Sequence, residues 1–113
     1  MDLSIIIPCH NLENFIDPLL SSLKQQEFTP FEVELIFVLD DCTDNTAKKL
    51  MQFQADQYRI HLINTIVHSC GLARNIGLEH SHGKYIWFVD GDDWILSSTA
   101  IKQILTIMKV QDE

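Results

Sequence analysis

The stretch "LSIIIP", residues 3–8, is an unbroken apolar run closed by a proline. A strand with one wet face alternates apolar and polar side chains. This one does not, which suits a strand buried on both faces of a parallel sheet. "VELIFVL", residues 33–39, has the same character. "RIHLIN", residues 59–64, and "KYIWFV", residues 84–89, read as two further strands rich in β-branched and aromatic residues.

Between these runs the period changes. Phe15, Ile16, Leu19, Leu20 and Leu23 recur at helical spacing, with Pro18 in the first turn and Asp17 as the candidate N-cap. Asp44 is placed to cap a second helix whose apolar positions are Ala47, Leu50 and Met51. In "GLARNIGLEH", residues 71–80, Leu72 and Ile76 share a face, while Ala73 and Gly77 form a small-residue track that permits close packing. Gly83 ends this unit, and Ser97 or Ser98 heads a last helix carrying Ile101, Ile104, Leu105 and Met108. The order βαβαβαβα predicts an α/β fold, an open and mostly parallel sheet with helices on both faces. No repeat, low-complexity segment or linker divides the chain.

With 113 residues, 46% of them hydrophobic, the chain can bury a core as one small domain or part of a larger one. Its formal net charge of -8 argues against nucleic acid and against an anionic membrane surface as partners. A single nucleotide stays compatible, because a divalent cation can screen its phosphates. Cys9, Cys42 and Cys70 are an odd count without CxxC spacing, as expected of reduced thiols. His10, His61, His68, His80 and His82 show no shared spacing for a transition metal, although His10 is placed to line a pocket at a strand end. No basic leader precedes the first strand, and no apolar stretch approaches the ~20 residues of a membrane span. A soluble, cytoplasmic protein is expected.

The polar clusters fall where ligands sit in open α/β sheets, beyond the carboxyl ends of strands. "PCHNLE" follows the first strand, "DDCTDNT" the second and "DGDD" the fourth. Asp90 and Asp92 flank Gly91 and can project to one side, as suits a hard divalent cation such as Mg²⁺ or Mn²⁺. A polar turn in which Asp caps backbone amides is the alternative. Asp93 is a candidate cap of the next turn, and Trp94 a cover for the site or a core residue. Asp40, directly at a strand end, suits either a ligand contact or a cap. Arg74 suits either a phosphate contact or a solvated helix face. No GxSxG, GxxxxGK[ST] or GxGxxG occurs, which removes the motif support for a serine hydrolase, a P-loop or a classical dinucleotide site.

Taken in order, these clusters resemble a known family. "SIIIPCHNLENFI" is similar to the opening strand and P-x-[YH]-N-x-E turn of family 2 glycosyltransferases. "FVLDDCTDNT" resembles their V-[DN]-D-G-S-T-D-x-T motif, and "GLARNIGLEHSHGKYIWFVDGDD" their G-x-[AS]-x-A-R-N-x-G segment running into D-x-D. The likeness spans residues 3 to about 110. It implies the GT-A fold and places residues 1–113 in its Rossmann-like, nucleotide-sugar-binding half. By position, Pro8, His10, Asn11 and Glu13 would form the floor and rim of the nucleotide pocket. Asp40 would contact the nucleobase, and Arg74 the base or diphosphate. Asp90 would serve the ribose side and, with Asp92, the metal, Mg²⁺ or Mn²⁺.

The implied reaction is transfer of a sugar from a nucleoside-diphosphate sugar, foremost a UDP-sugar, to a saccharide or lipid-linked acceptor hydroxyl, with inversion, as in polysaccharide biosynthesis. The sequence departs from the motif at Leu39, Asp41 and Cys42, which stand for Asp or Asn, Gly and Ser. The general base expected of the family has no candidate before Glu113, so a fragment of a longer transferase is expected. The parent would be cytoplasmic or peripheral to the inner face of the membrane. A bare half-sheet edge would favour self-association. Two rival readings remain open. One is a nucleotide-binding module without catalysis. The other is a haloacid-dehalogenase-type phosphatase, which wants its D-x-D on the first strand and Thr or Val where Trp94 stands.

Overall fold

Ile5, Ile6 and Ile7 are fully buried in succession, as a strand covered on both faces requires. The computed structural model describes residues 1–112. Its elements run β1 (Leu3–Cys9), α1 (Asp17–Lys24), β2 (Val33–Asp40), α2 (Thr46–Gln52), β3 (Tyr58–Thr65), α3 (Cys70–Glu79), β4 (Tyr85–Phe88) and α4 (Ala100–Asp112). The four strands form one parallel sheet in the order β3-β2-β1-β4. The predicted open α/β sheet is thus observed.

Alternate residues of each central strand serve opposite layers. Ile5, Ile7, Leu35 and Phe37 meet Leu19 and Leu23 of α1, Leu50 of α2, and Ile101 and Leu105 of α4. Ile6, Ile36 and Val38 face the other way, onto Ala73 of α3. The small-residue track of α3 is what lets that helix sit so close. A methyl group on Gly77 would lie 2.4 Å from Ile6 Cγ2, so the sheet leaves no room for a side chain there.

Several local expectations are corrected. Ile16 is the N-cap of α1 and makes no side-chain cap bond; Asp17 is the first helical residue, and its carboxylate pairs instead with Lys49 at 2.8 Å. Phe15, Met51 and Leu72 are 59%, 70% and 51% exposed, so they lie outside the apolar stripes. Ser69 caps α3, accepting from the Leu72 amide, and the helix begins at Cys70. β4 is shorter than "KYIWFV". Trp94 is 56% exposed and is no core residue. Ile104 and Met108 of α4 are also partly exposed, because β4 ends the sheet beneath them. No helix among the described residues is long and apolar enough to cross a membrane.

The strand order fixes where a ligand belongs. From β1 the chain adds β2 and β3 on one side and β4 on the other. The carboxyl ends of β1 and β4 therefore flank the point where the winding reverses, the place where open α/β sheets open a crevice.

Candidate functional site

Of the four connections that leave the strands at this end, three contain a non-glycine residue in the left-handed region: Asn11 after β1, Asp41 after β2 and His68 after β3, with φ of 49°, 50° and 50°. Asn, Asp and His tolerate that region better than most, yet it still costs about 1 kcal/mol or more. Each is held by bonds across the crevice. Asn11 Oδ1 accepts from the Thr43 amide at 2.8 Å and the Asp44 amide at 3.3 Å. The Asp41 amide donates to the Thr65 carbonyl at 2.8 Å, and its carboxylate lies 2.7 Å from His68 Nε2.

Asp40 is buried at the tip of β2. Its Oδ1 accepts from the Val67 and His68 amides at 2.9 and 3.0 Å, and its Oδ2 from the Ser69 amide at 3.0 Å. Burial alone would raise the pKa of this carboxyl, but the three amides outweigh it and hold the group below the usual carboxylate range. Asp40 thereby shapes the loop leading into α3. His10 Nδ1 donates to the Asp40 carbonyl at 2.7 Å. His10, Asp40, His68, Ser69 and Cys70 line a cleft of about 370 Å³. A second hollow, of about 530 Å³, lies beside it over Leu39, Asp41, Cys42, Asn64, Thr65 and Ile66.

The turn after β1 is braced against α2. Glu13 Oε1 accepts from the Asn45 amide at 2.9 Å, so this carboxylate caps α2 from outside. Asp44 accepts from the Thr46 amide and hydroxyl and from the Glu13 amide. Those bonds prevail over desolvation and hold its pKa low. Lys49 Nζ reaches the Glu13 carbonyl at 2.6 Å. Asn11 and Glu13, expected at the pocket rim, thus spend their side chains on bracing.

The β4 side is built differently. A methyl group on Gly91 would lie 2.2 Å from Leu12 Cδ1 and 3.6 Å from the Pro8 carbonyl oxygen, so the "DGDD" turn is pressed onto the end of β1. Arg74, on α3, reaches Asp90 Oδ1 with Nη2 at 3.3 Å, and the side chains are 38% and 63% exposed. Arg74 Nε is buried without a hydrogen-bond partner among the described residues. Asp93 caps its own turn, its Oδ1 accepting from the Trp94 amide at 3.1 Å. Asp92 is exposed, and its carboxylate has no partner among the described residues. A bare carboxylate on Asp92, next to an Asp90 held only by an exposed ion pair with an under-bonded guanidinium, suits an oxygen-loving cation and a polyanion.

A sequence model of Glycosyl transferase family 2 matches residues 4–112. The chain belongs to that family. Among curated relatives of this glycosyltransferase chain, the poly(ribitol-phosphate) beta-N-acetylglucosaminyltransferase TarS of Staphylococcus aureus is 35% identical over 101 residues, which cover 88% of this chain and 18% of TarS. The UDP-Glc:alpha-D-GlcNAc-diphosphoundecaprenol beta-1,3-glucosyltransferase WfgD of Escherichia coli is 32% identical over 94% of this chain and 41% of its own length. The chain therefore spans less than half of either relative. The crystal structure of S. aureus TarS residues 1–349 with UDP-GlcNAc superposes with a TM-score of 0.90 at 29% identity, covering 99% of this chain and 32% of that one. A mannosyltransferase from Pyrobaculum calidifontis, at 18% identity and a TM-score of 0.83, shares the fold. The fold is GT-A.

The sequence did not point to the Val67–Ser69 amides or to the His68–Asp41 pair. Backbone donors leave no residue signature. The serine just ahead of "CGLARN" was the available sign, as an N-cap facing the crevice.

Proposed function

We propose that this chain binds a nucleoside-diphosphate sugar, foremost a UDP-sugar, as the donor part of a glycosyltransferase that glycosylates an acceptor hydroxyl. The observation that carries this reading is the unpartnered Asp92 carboxylate beside the exposed Asp90–Arg74 pair, whose guanidinium has a buried Nε without a partner among the described residues, at the point where the sheet reverses. The relatives support the donor class, since TarS has been solved with UDP and with UDP-GlcNAc. WfgD's lipid-diphosphate acceptor makes a saccharide or lipid-linked acceptor the leading choice here.

Asp92 and Asp90 would hold Mg²⁺ or Mn²⁺, which fits their exposed, all-oxygen donor set. That ion would supply charge to offset the anion building on the departing nucleoside diphosphate. Arg74 would turn from Asp90 to the diphosphate or base, satisfying its orphaned Nε. The cleft between His10 and Ser69 would take the base, over a floor formed by Pro8 and with Asp40 fixing its wall. Asn11 and Glu13 would act through the loops they brace. Inversion follows the family resemblance.

The test is calorimetric titration of UDP and GDP into the purified chain, with Mn²⁺ and with EDTA, in wild type and Asp92→Asn. Metal-dependent UDP binding that disappears in the variant is the expected result. UDP binding of equal strength in EDTA or in Asp92→Asn would remove the cation from "DGDD".

A further inference from the structure

A second polar cluster lies at the opposite end of the sheet. Glu34, second residue of β2, is fully buried, and it sits about 20 Å from Asp40 along the strand, at ~3.3 Å per residue. Among the described residues its ion-pair partners are two imidazoles, those of His61 on β3 and His82 in the α3–β4 connection. A buried carboxylate is costly unless compensated, and here the compensation is divided between its two oxygens. Oε2 is taken by the Ser4 hydroxyl at 2.6 Å and the His82 amide at 2.6 Å. The Ser4 hydroxyl is itself held by the Gly83 amide at 2.8 Å. Oε1 has no amide donor among the described residues; it faces His61 Nε2 at 3.1 Å and His82 Nδ1 at 3.2 Å.

We propose that Glu34, His61 and His82 form a site for a borderline divalent transition metal of the Zn²⁺ class, separate from "DGDD". Zinc takes nitrogen and oxygen ligands at ~2.0–2.2 Å, which sets neighbouring ligand atoms of a tetrahedron roughly 3.3–3.5 Å apart. The two nitrogen–oxygen separations are already near that edge, and all three donor atoms lie within 4.8 Å of one another. Two imidazoles and one carboxylate favour zinc or cobalt over magnesium. The bonds from Ser4 and the His82 amide fix the carboxylate so that one oxygen is presented, as outer partners do around metals. His82 is 67% exposed and Glu34 not at all, so the site opens to solvent on one side for a fourth, water ligand. An ion there would pin β2, β3 and the segment entering β4 together. Sequence spacing hides this site, because its ligands come from three separate elements.

The probe is Co²⁺ added to the chelator-treated chain, followed by visible absorbance and calorimetry, with Zn²⁺ as competitor. One Co²⁺ per chain in the tetrahedral form, counted from its intense bands, is expected, displaced by Zn²⁺ and weakened roughly tenfold or more in His61→Ala and in His82→Ala. Because His82 is exposed, His82→Ala should keep the wild-type circular dichroism. Asp92→Asn should keep these tetrahedral bands at wild-type strength. The absence of such bands, their persistence in both histidine variants, or their loss in Asp92→Asn would each overturn the proposal.

Discussion

Asp40 and Asp92 both stand at carboxyl ends of strands on the same crevice, and they live in opposite surroundings. Asp40 is buried and receives three backbone amides. Asp92 is exposed and receives nothing from the described residues. A carboxylate saturated by backbone donors is a brace for the loop it holds. One left bare keeps its lone pairs for something that arrives later. Residue type and position alone do not separate the two roles; the donors around each carboxylate do.

Breaking the brace should have the largest effect. Asp40→Ala strands three amides of the β3–α3 loop and should lower unfolding free energy by about 3 kcal/mol or more, read from the urea midpoint. A change under about 0.5 kcal/mol would show that the loop finds other acceptors. The same bonds give a pH signature. The folded pKa values of Asp40 and Asp44 lie below their unfolded values near ~3.9. Their contribution is therefore complete above that value and lost as pH falls through the lower folded values. Asp40→Ala should flatten the acid limb of the stability curve.

Asn11→Ala should cost less, about 1–2 kcal/mol, from lost bonds to Thr43 and a Cβ kept at positive φ. Asn11→Gly loses the same bonds without the steric conflict, so its smaller deficit isolates the strain. Equal deficits would mean that the left-handed turn stores none. Asp92→Asn should leave stability within about 0.5 kcal/mol while abolishing metal-dependent UDP binding. A large loss of stability would mean that Asp92 is a brace after all. The weakest effect belongs to the exposed His68–Asp41 pair. Hydrogen bonding to Asp41 raises the His68 pKa, so any stabilisation is present below the unfolded value and fades as pH rises through the folded one. Added salt should erase it.

The sheet was legible because burial on both faces forces contiguous apolar runs, as in Ile5–Ile7. Strand order was not legible, since no residue of β4 says on which side of β1 it will lie. Helical periodicity told which residues share a stripe but not how far the sheet extends beneath them. Ile101 and Leu105 are buried, whereas Ile104 and Met108 of the same helix emerge past β4. At the site, the position of Asp40 could be read, but its engagement by the Val67–Ser69 amides could not, because the bonding groups are common to every residue. The capping function of Glu13 was hidden for a similar reason: its partner is the Asn45 amide, far along the chain.

The central place of β1 in the sheet has a consequence for how the chain assembles. Leu3 pairs with Val33, and Val33 with Tyr58, but Leu3 also pairs with Tyr85. Closing the last of these loops requires most of the chain, so it carries the largest entropic cost and joins four residue pairs against seven for β1–β2. The β1-β2-β3 ribbon should therefore form first and β4 dock last. In pulse-labelled hydrogen exchange, the amides of Leu35–Phe37 should gain protection before those of Ile86–Phe88; simultaneous protection would contradict this order. On this order the two halves of the crevice mature at different times, and Asp90 reaches Arg74 only in the final step of folding.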